Sequence, residues 1–315
     1  MSTESQGIFE PTTEFPDPQA KKRYDRLVGL DHIKARLLKE ARILLNPELL
    51  DSWSKRHHQI RIALVEKYKE RSPLFIFGGD VGTGKTELAE TFGDQIARQE
   101  DISVTLYSLS LSARGTGAVG EMTKLLSMAF AEVAQAAQKL VAKKGKPRGA
   151  VILLIDEADA LAQSRELAQM HHEDRAGVNA LIRGVSGFAN GQLPALAVMC
   201  TNRLEALDPG VRRRAADTFK FDRPNDAQRA FMLQAALSDV GITEDQIQVL
   251  ARMIGPNGES SYGFTYSDIA QRLLPEILLD AFPERQIAFE RVLEIAKTLK
   301  PTPPFESDRG ESPAA

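Results

Sequence analysis

Leu74-Phe75-Ile76-Phe77-Gly78-Gly79-Asp80-Val81-Gly82-Thr83-Gly84-Lys85-Thr86 runs four large apolar residues into a glycine-rich turn that closes on Lys-Thr. Leu74 to Phe77 reads as a short buried strand, and the residues after Lys85 carry helical periodicity to about residue 98. Gly79 to Thr86 fits the spacing GxxxxGK[ST]. In that pattern glycines let backbone N–H groups turn inward around a phosphate, and the helix N-terminus adds partial positive charge. Lys85 then neutralises the outer phosphates, and the Thr86 hydroxyl is placed to ligate magnesium. An ordinary glycine turn with a surface lysine needs neither a strand before it nor a helix after it, so ATP or GTP is the expected ligand.

Outward from this stretch, further strands are expected at Val104 to Leu109, Val151 to Ile155, Ala195 to Cys200 and Thr218 to Phe221. They alternate with helical stretches around 85–98, 120–142 and 173–187, which predicts an α/β fold with a parallel sheet covered on both faces. Residues 24–56 are expected to be largely helical. After Arg223-Pro224 the strand signals stop. Asn225 and Asp226 can cap one helix, Thr243 with Gln246 forms a capping-box pattern for the next, and Ser267-Asp268 opens a third that Pro275 should kink. A last amphipathic helix ends near Leu299. The expected organisation is a flexible tail over 1–23, an α/β domain over 24–224, an all-helical domain over 225–300 and a second flexible tail over 301–315, the tails being proline-rich and without apolar periodicity.

Val151 to Ile155 is wholly apolar and ends in Asp156-Glu157. Ligands of open parallel sheets gather at the carboxyl ends of strands, so these acids are expected on the same edge as the phosphate loop. Asp156 would hold magnesium through water, and Glu157 would orient and deprotonate the attacking water. An acid directly after the metal-holding one points to hydrolysis rather than transfer to a second substrate. Asn202 follows the strand Ala195 to Cys200, where its amide could bridge the water and the γ-phosphate; a polar turn residue fits the same spacing.

Composition narrows the classes further. The chain has 315 residues, 43% hydrophobic and 26% charged, which excludes a disordered chain or a fibre. The net charge of -3 gives no overall argument for nucleic acid, although Lys139, Lys143, Lys144, Lys146 and Arg148 form a local basic loop that reads as a solvated connection or a nucleic-acid contact. Its longest apolar runs, Ala150 to Ile155 and Ala195 to Cys200, fall far short of the roughly 20 residues that span a bilayer. The acidic start lacks the pattern of a secretory signal, and the single Cys200 suits a reducing compartment, so a cytoplasmic location is expected. One cysteine and five scattered histidines assemble no zinc-site spacing.

Taken together these motifs resemble the AAA+ ATPases over about Tyr24 to Pro301. The resemblance makes Gly79 to Thr86 Walker A, Asp156-Glu157 Walker B and Asn202 sensor 1, and residues 225–300 the helical lid. It places Tyr24 to Leu30, with Val28 and Gly29, over the adenine, and adds Glu87 to the nucleotide-binding set. Leu207 to Arg214 looks like the arginine-finger segment, which implies that Arg213 and Arg214 enter a neighbour's ATP site and that six copies close into a ring. Gly117-Ala118-Val119-Gly120-Glu121 matches the pore loop with Ala118 where an aromatic is usual, and His171, His172 and Glu173 are candidates for a second pore loop. Asp174 to Ile182 and Val211 to Ala215 look similar to the pachytene-checkpoint branch, which implies remodelling of a HORMA-domain protein and, for bacterial relatives, antiphage signalling systems. In place of that branch's sensor 2 arginine the chain offers Ser267, with Arg272 one turn later. The expectation is an ATP-driven ring remodeller of a protein partner; a DNA-handling ATPase of the loader or initiator type and a nucleotide-gated scaffold are the alternatives.

Overall fold

A computed structural model describes residues 8–110, 121–143, 145–161, 172–257 and 260–305. Contacts divide the chain into two compact units. One comprises the described residues up to Arg26, Asp31–Gly78 and Thr86–Lys220; the other comprises Leu27–Leu30, Gly79–Lys85 and the described residues from Phe221 onward. The phosphate loop thus groups with the helical part of the chain, which differs from a plain boundary at residue 224.

The first unit is built on β1 (Thr13–Phe15), β2 (Leu74–Gly79), β3 (Ser103–Ser110), β4 (Gly149–Asp156), β5 (Ala195–Thr201) and β6 (Asp217–Phe221), in the order β1-β3-β4-β5-β2-β6. The pairs β3–β4, β4–β5 and β2–β5 are parallel. Burial on both faces is why β2, β4 and β5 are continuous apolar runs rather than alternating ones. The crossovers are α5 (Lys85–Glu100), α6 (Glu121–Gln138) and α7 (His172–Asn190). Leu126, Phe130, Val133, Leu181, Val185 and Phe188 from the last two helices share one core with Leu74, Ile76, Val151, Leu153 and Ile155. All five strands expected from the sequence are present.

The amino-terminal tail requires a correction. Thr13 to Phe15 pair antiparallel with Leu106 to Val104, and Phe15 is 2% exposed. Asp17 then accepts from the backbone of Gln19 and Ala20 at the start of α1 (Pro18–Arg26), while its own N–H donates to Asp94 at 2.8 Å. A strand of three residues beside Pro16 is too short to show alternation, so only its partner β3 reveals it. Between α1 and β2 lie α2 (Asp31–Leu45), α3 (Glu48–His58) and α4 (Ala63–Lys69).

The second unit contains α9 (Asp226–Leu237), α10 (Glu244–Met253), a π-helical segment (Asp268–Leu273) continuing into α11 (Leu274–Ala281), and α12 (Phe289–Thr298); α8 (Pro209–Arg214) belongs to the first unit. The capping box read from the sequence, Thr243 with Gln246, forms; Asn225 caps α9 as expected, and Gln228 completes a second capping box there, while Asp226 is the first helical residue. The irregularity expected at Pro275 appears as the π-helical turn just before it, where a proline cannot donate the regular i→i−4 bond. Leu233, Leu250, Ile269, Leu273 and Val292 form this unit's core. The carboxyl-terminal tail also requires a correction up to Phe305: Thr302 is hydrogen-bonded to the buried Asp268 through both its N–H and its hydroxyl. No described helix is long and apolar enough to cross a membrane.

Candidate functional site

In the second unit the phosphate loop braces itself before any ligand is considered. Lys85 is 6% exposed, and its ammonium donates to the carbonyls of Gly79 at 2.9 Å and Asp80 at 2.7 Å. The fully buried Thr83 adds a bond from its hydroxyl to Asp80 O at 2.7 Å. Gly82 has φ +72°, and an added Cβ there would lie 2.7 Å from Thr265 Oγ1 and 2.8 Å from Ser267 Cβ. Both the left-handed backbone and the close approach of Thr265 and Ser267 therefore demand glycine. Ser267 N donates to Gly82 O at 3.2 Å, so this residue touches the loop through its backbone.

Asp80 was assigned to nucleotide binding, but its carboxylate faces other partners. It accepts from Arg223 Nε at 2.7 Å and Nη2 at 2.5 Å, from Val81 N at 2.8 Å and from Phe305 N at 3.1 Å. Arg223 also donates to Gly263 O at 2.7 Å and lies over the Tyr262 ring. Nothing in the sequence pointed to Arg223, because a bond spanning more than a hundred residues leaves no local pattern. Val28 and Gly29 share this unit. Gly29 has φ +72°, its carbonyl accepts from Gln228 Nε2 at 3.1 Å, and an added Cβ would collide with that side chain.

In the first unit the acidic residues line the carboxyl ends of the strands. Thr86 Oγ1 donates to Asp156 Oδ1 at 3.3 Å, so the two residues read as magnesium ligands are together. Their oxygens are the hard donors that magnesium takes. Glu157 follows in a left-handed conformation, φ +52°, exposed, with its N–H on Asp156 Oδ1 at 2.9 Å. Glu87 is held by Arg23 through two hydrogen bonds of 2.7 and 2.9 Å, and Arg23 also pairs with Glu90. These carboxylates keep the Arg23 guanidinium firmly protonated, against the opposing effect of burial. Tyr24 is buried, which pushes its phenol up to about 12.

Asp159 is the functional candidate that sequence reasoning missed. It lies in the short 3-10 turn Ala158–Leu161 and accepts from Thr201 Oγ1 at 2.6 Å, Asn202 N at 3.0 Å, Asn202 Nδ2 at 3.2 Å and Arg203 N at 2.9 Å. Asn202 is thereby oriented by an acid three residues beyond Asp156. The repeated acid in Asp156-Glu157-Ala158-Asp159 was the available signal.

Arg213 and Arg214 are exposed at the end of α8, which Asp208 caps, and each donates to a backbone carbonyl one turn back, of Pro209 at 3.2 Å and Gly210 at 3.3 Å. Arg212, by contrast, is half-buried and 3.6 Å from Glu205. Arg272 donates to Asp268 at 2.8 Å and Lys300 O at 3.0 Å. In the basic loop, Lys146 donates to Glu100 O and Asp101 O, and Arg148 to Lys139 O, so both cations are engaged with helix-end carbonyls. Residues 117–120 of the expected pore loop and His171 lie outside the described residues, and Glu121, His172 and Glu173 fall in the first turns of α6 and α7.

The profile of the ATPase family associated with various cellular activities (AAA) matches residues 75–223. CD-NTase-associated protein 6 from Escherichia coli strain MS 115-1 is 53% identical over 298 residues, covering 95% of this chain and 96% of its own length. The chain belongs to the AAA ATPases. Hydrolysis of ATP is the activity of this family and of this chain, and nucleotide binding comes with it. Among solved AAA structures, the Escherichia coli MS115-1 HORMA:CdnC:Trip13 complex contains a chain that matches with a TM-score of 0.88 at 53% identity, covering 95% of this chain and 97% of that one. Rhizobiales Trip13 matches with a TM-score of 0.74 at 46% identity, covering 94% of this chain and 100% of that one. Caenorhabditis elegans PCH-2, at 18% identity and a TM-score of 0.63 over 90% of this chain and 73% of its own, shares the fold. This AAA chain therefore sits with the Trip13-like members.

Proposed function

We propose that this AAA ATPase spends ATP on remodelling a HORMA-domain protein, as part of a bacterial antiphage signalling system in the cytoplasm. The observation that carries this is the 53% identity, sustained over 95% of the chain, to a protein whose structure was solved as a HORMA:CdnC:Trip13 complex.

The residues divide the chemistry among them. Gly79, Val81, Gly82, Thr83 and Gly84 offer backbone to the phosphates, and Lys85 leaves the carbonyls of Gly79 and Asp80 for the outer phosphates when ATP arrives. Val28 and Gly29 flank the base. Thr86 and Asp156 would hold Mg2+, which supplies charge neutralisation at the phosphates. Glu157, exposed at the strand end, takes the proton of the attacking water. Asn202, oriented by Asp159, fixes the position of that water against the γ-phosphate.

Completion of the site falls to a second copy. Arg213 and Arg214 project from the surface and are suited to stabilise charge on a neighbour's γ-phosphate, a contribution worth about 10³ to 10⁵ in rate when supplied in trans. Head-to-tail contacts of this kind close into a ring, and a hexamer is proposed. The test is a pull-down with Glu157→Gln in the presence of ATP, followed by ATPase assays with the captured protein. Retention and stimulation by a HORMA-domain protein is the expected result; absence of stimulation by any such partner refutes the assignment.

A further inference from the structure

Proline-rich sequence predicts a loose end beyond Lys300, yet Lys300 to Phe305 is anchored at two places within the unit that carries the phosphate loop. At one, Thr302 donates its N–H to Asp268 Oδ2 at 3.1 Å and its hydroxyl to Asp268 Oδ1 at 2.6 Å. Asp268 is 1% exposed and also accepts from Thr265 N, while Arg272 joins it to Lys300 O. At the other, Phe305 N donates to Asp80 Oδ1 at 3.1 Å. The span between these anchors is Pro303-Pro304, whose fixed φ angles and missing donors make it stiff and unable to coil into a helix.

Asp80 is an acid inside an anion-binding loop, so its charge opposes a triphosphate unless it is neutralised and held in place. Arg223 does the first, and the strap adds a second restraint on the same carboxylate. We propose that residues 300–305 are a positioning element of the nucleotide site, a stiff strap between the lid's Asp268 and the loop's Asp80 that keeps the phosphate loop in its triphosphate-accepting form. The proposal rests on the assignment of this loop to ATP. Burial alone would push the Asp268 carboxyl up, but the bonds from Thr265, Thr302 and Arg272 outweigh it and hold the group below its ordinary value, consistent with a permanently charged anchor.

The test compares the full chain with one ending at Leu299 and one ending at Phe305, using a fluorescent ATP analogue for affinity and phosphate release for turnover. The chain ending at Leu299 should bind the analogue roughly tenfold more weakly, the low end of the scale of a single charge-assisted hydrogen bond, and show a raised KM with a smaller change in kcat. The chain ending at Phe305 should match full length. Thr302→Val should show the same direction of effect without truncation. Asp80→Asn introduced into the shortened chain should recover part of the lost affinity, because it removes the charge the strap restrains; no recovery would mark the loss as a folding defect and overturn the proposal. Affinity within twofold for the chain ending at Leu299 overturns it too. Lys85→Ala separates this from the underlying assignment: if Lys85→Ala abolishes binding while the strap variants bind within twofold of the full chain, the strap alone fails, and if Lys85→Ala binds normally, the phosphate-loop assignment fails with it.

Discussion

Replacing Asp159 by alanine isolates the step from a partly buried hydrogen-bond cluster to catalysis. The carboxylate serves four donors: the Thr201 hydroxyl, the Asn202 N–H, the Asn202 amide and the Arg203 N–H. They do not all lose equally. Arg203 N keeps a second acceptor in Thr201 Oγ1 at 3.0 Å, the half-exposed Asn202 amide can turn to water, and the Thr201 hydroxyl can rotate. The uncompensated losses are the Asn202 N–H and, because Thr201 is 1% exposed, part of the hydroxyl's bonding. At about 1–3 kcal/mol for each unsatisfied buried donor, the turn should lose roughly 2–4 kcal/mol. For a unit of this size that is a fall of roughly 4–16 °C in Tm. Catalysis should suffer separately, since a misplacement of about 1 Å at a positioning group costs on the order of 10²-fold in rate. Expected, then, is kcat down by about 10² with nucleotide affinity changed less than about threefold, measured by coupled phosphate release and fluorescent-nucleotide titration, with calorimetry for Tm. Asp159→Asn should fall between, as it keeps one acceptor but turns an NH2 toward the Asn202 donors. A kcat within twofold of wild type for Asp159→Ala would refute the claim that this acid positions Asn202.

Glu157→Gln should keep ATP binding and slow hydrolysis by about 10² to 10⁴, read by single-turnover phosphate release; unchanged turnover removes Glu157 from its role. Arg214→Ala should be inactive alone and regain activity when mixed with Glu157→Gln subunits, because the two defects then fall in different sites; failure of rescue argues for a site completed within one chain. Asp268→Asn should destabilise the protein at neutral pH. Asp268 has its folded-state pKa depressed below 3.8, so its stabilisation is fully present above that ordinary value and is lost as pH falls through the lower folded one. The gap in Tm between wild type and variant should hold steady from about pH 7 to 5 and shrink only below about pH 4; a gap that closes near neutrality would contradict this.

The strands were legible for two reasons: Leu74 to Phe77, Val151 to Ile155 and Ala195 to Cys200 are uninterrupted apolar runs, the pattern that burial on both faces imposes, whereas Val104 to Leu109 and Thr218 to Phe221 alternate polar and apolar residues as half-buried strands do. The Thr243–Gln246 capping box and the Asn225 cap were legible because each is local, with donor and acceptor three residues apart. Thr13–Phe15 was hidden, being too short to carry a period and defined only by pairing with β3. Thr302 and Phe305 were hidden because their acceptors lie 34 and 225 positions away. Asp80 shows the same divide inside a single motif: its place in the loop follows from spacing, but its service to Arg223 and the strap does not.

Local chemistry alone, through glycine spacing, a lysine, a hydroxyl and acids at apolar strand ends, was enough to establish that this chain binds and cleaves a nucleoside triphosphate on an α/β sheet. Which side chain answers which was settled only by tertiary packing: Asp159 under Asn202, Arg223 against Asp80, and the carboxyl-terminal strap on Asp268. Hydrogen bonds act over about 3 Å in space and are indifferent to distance along the chain, so partnerships between residues remote in sequence exist only once the backbone has folded.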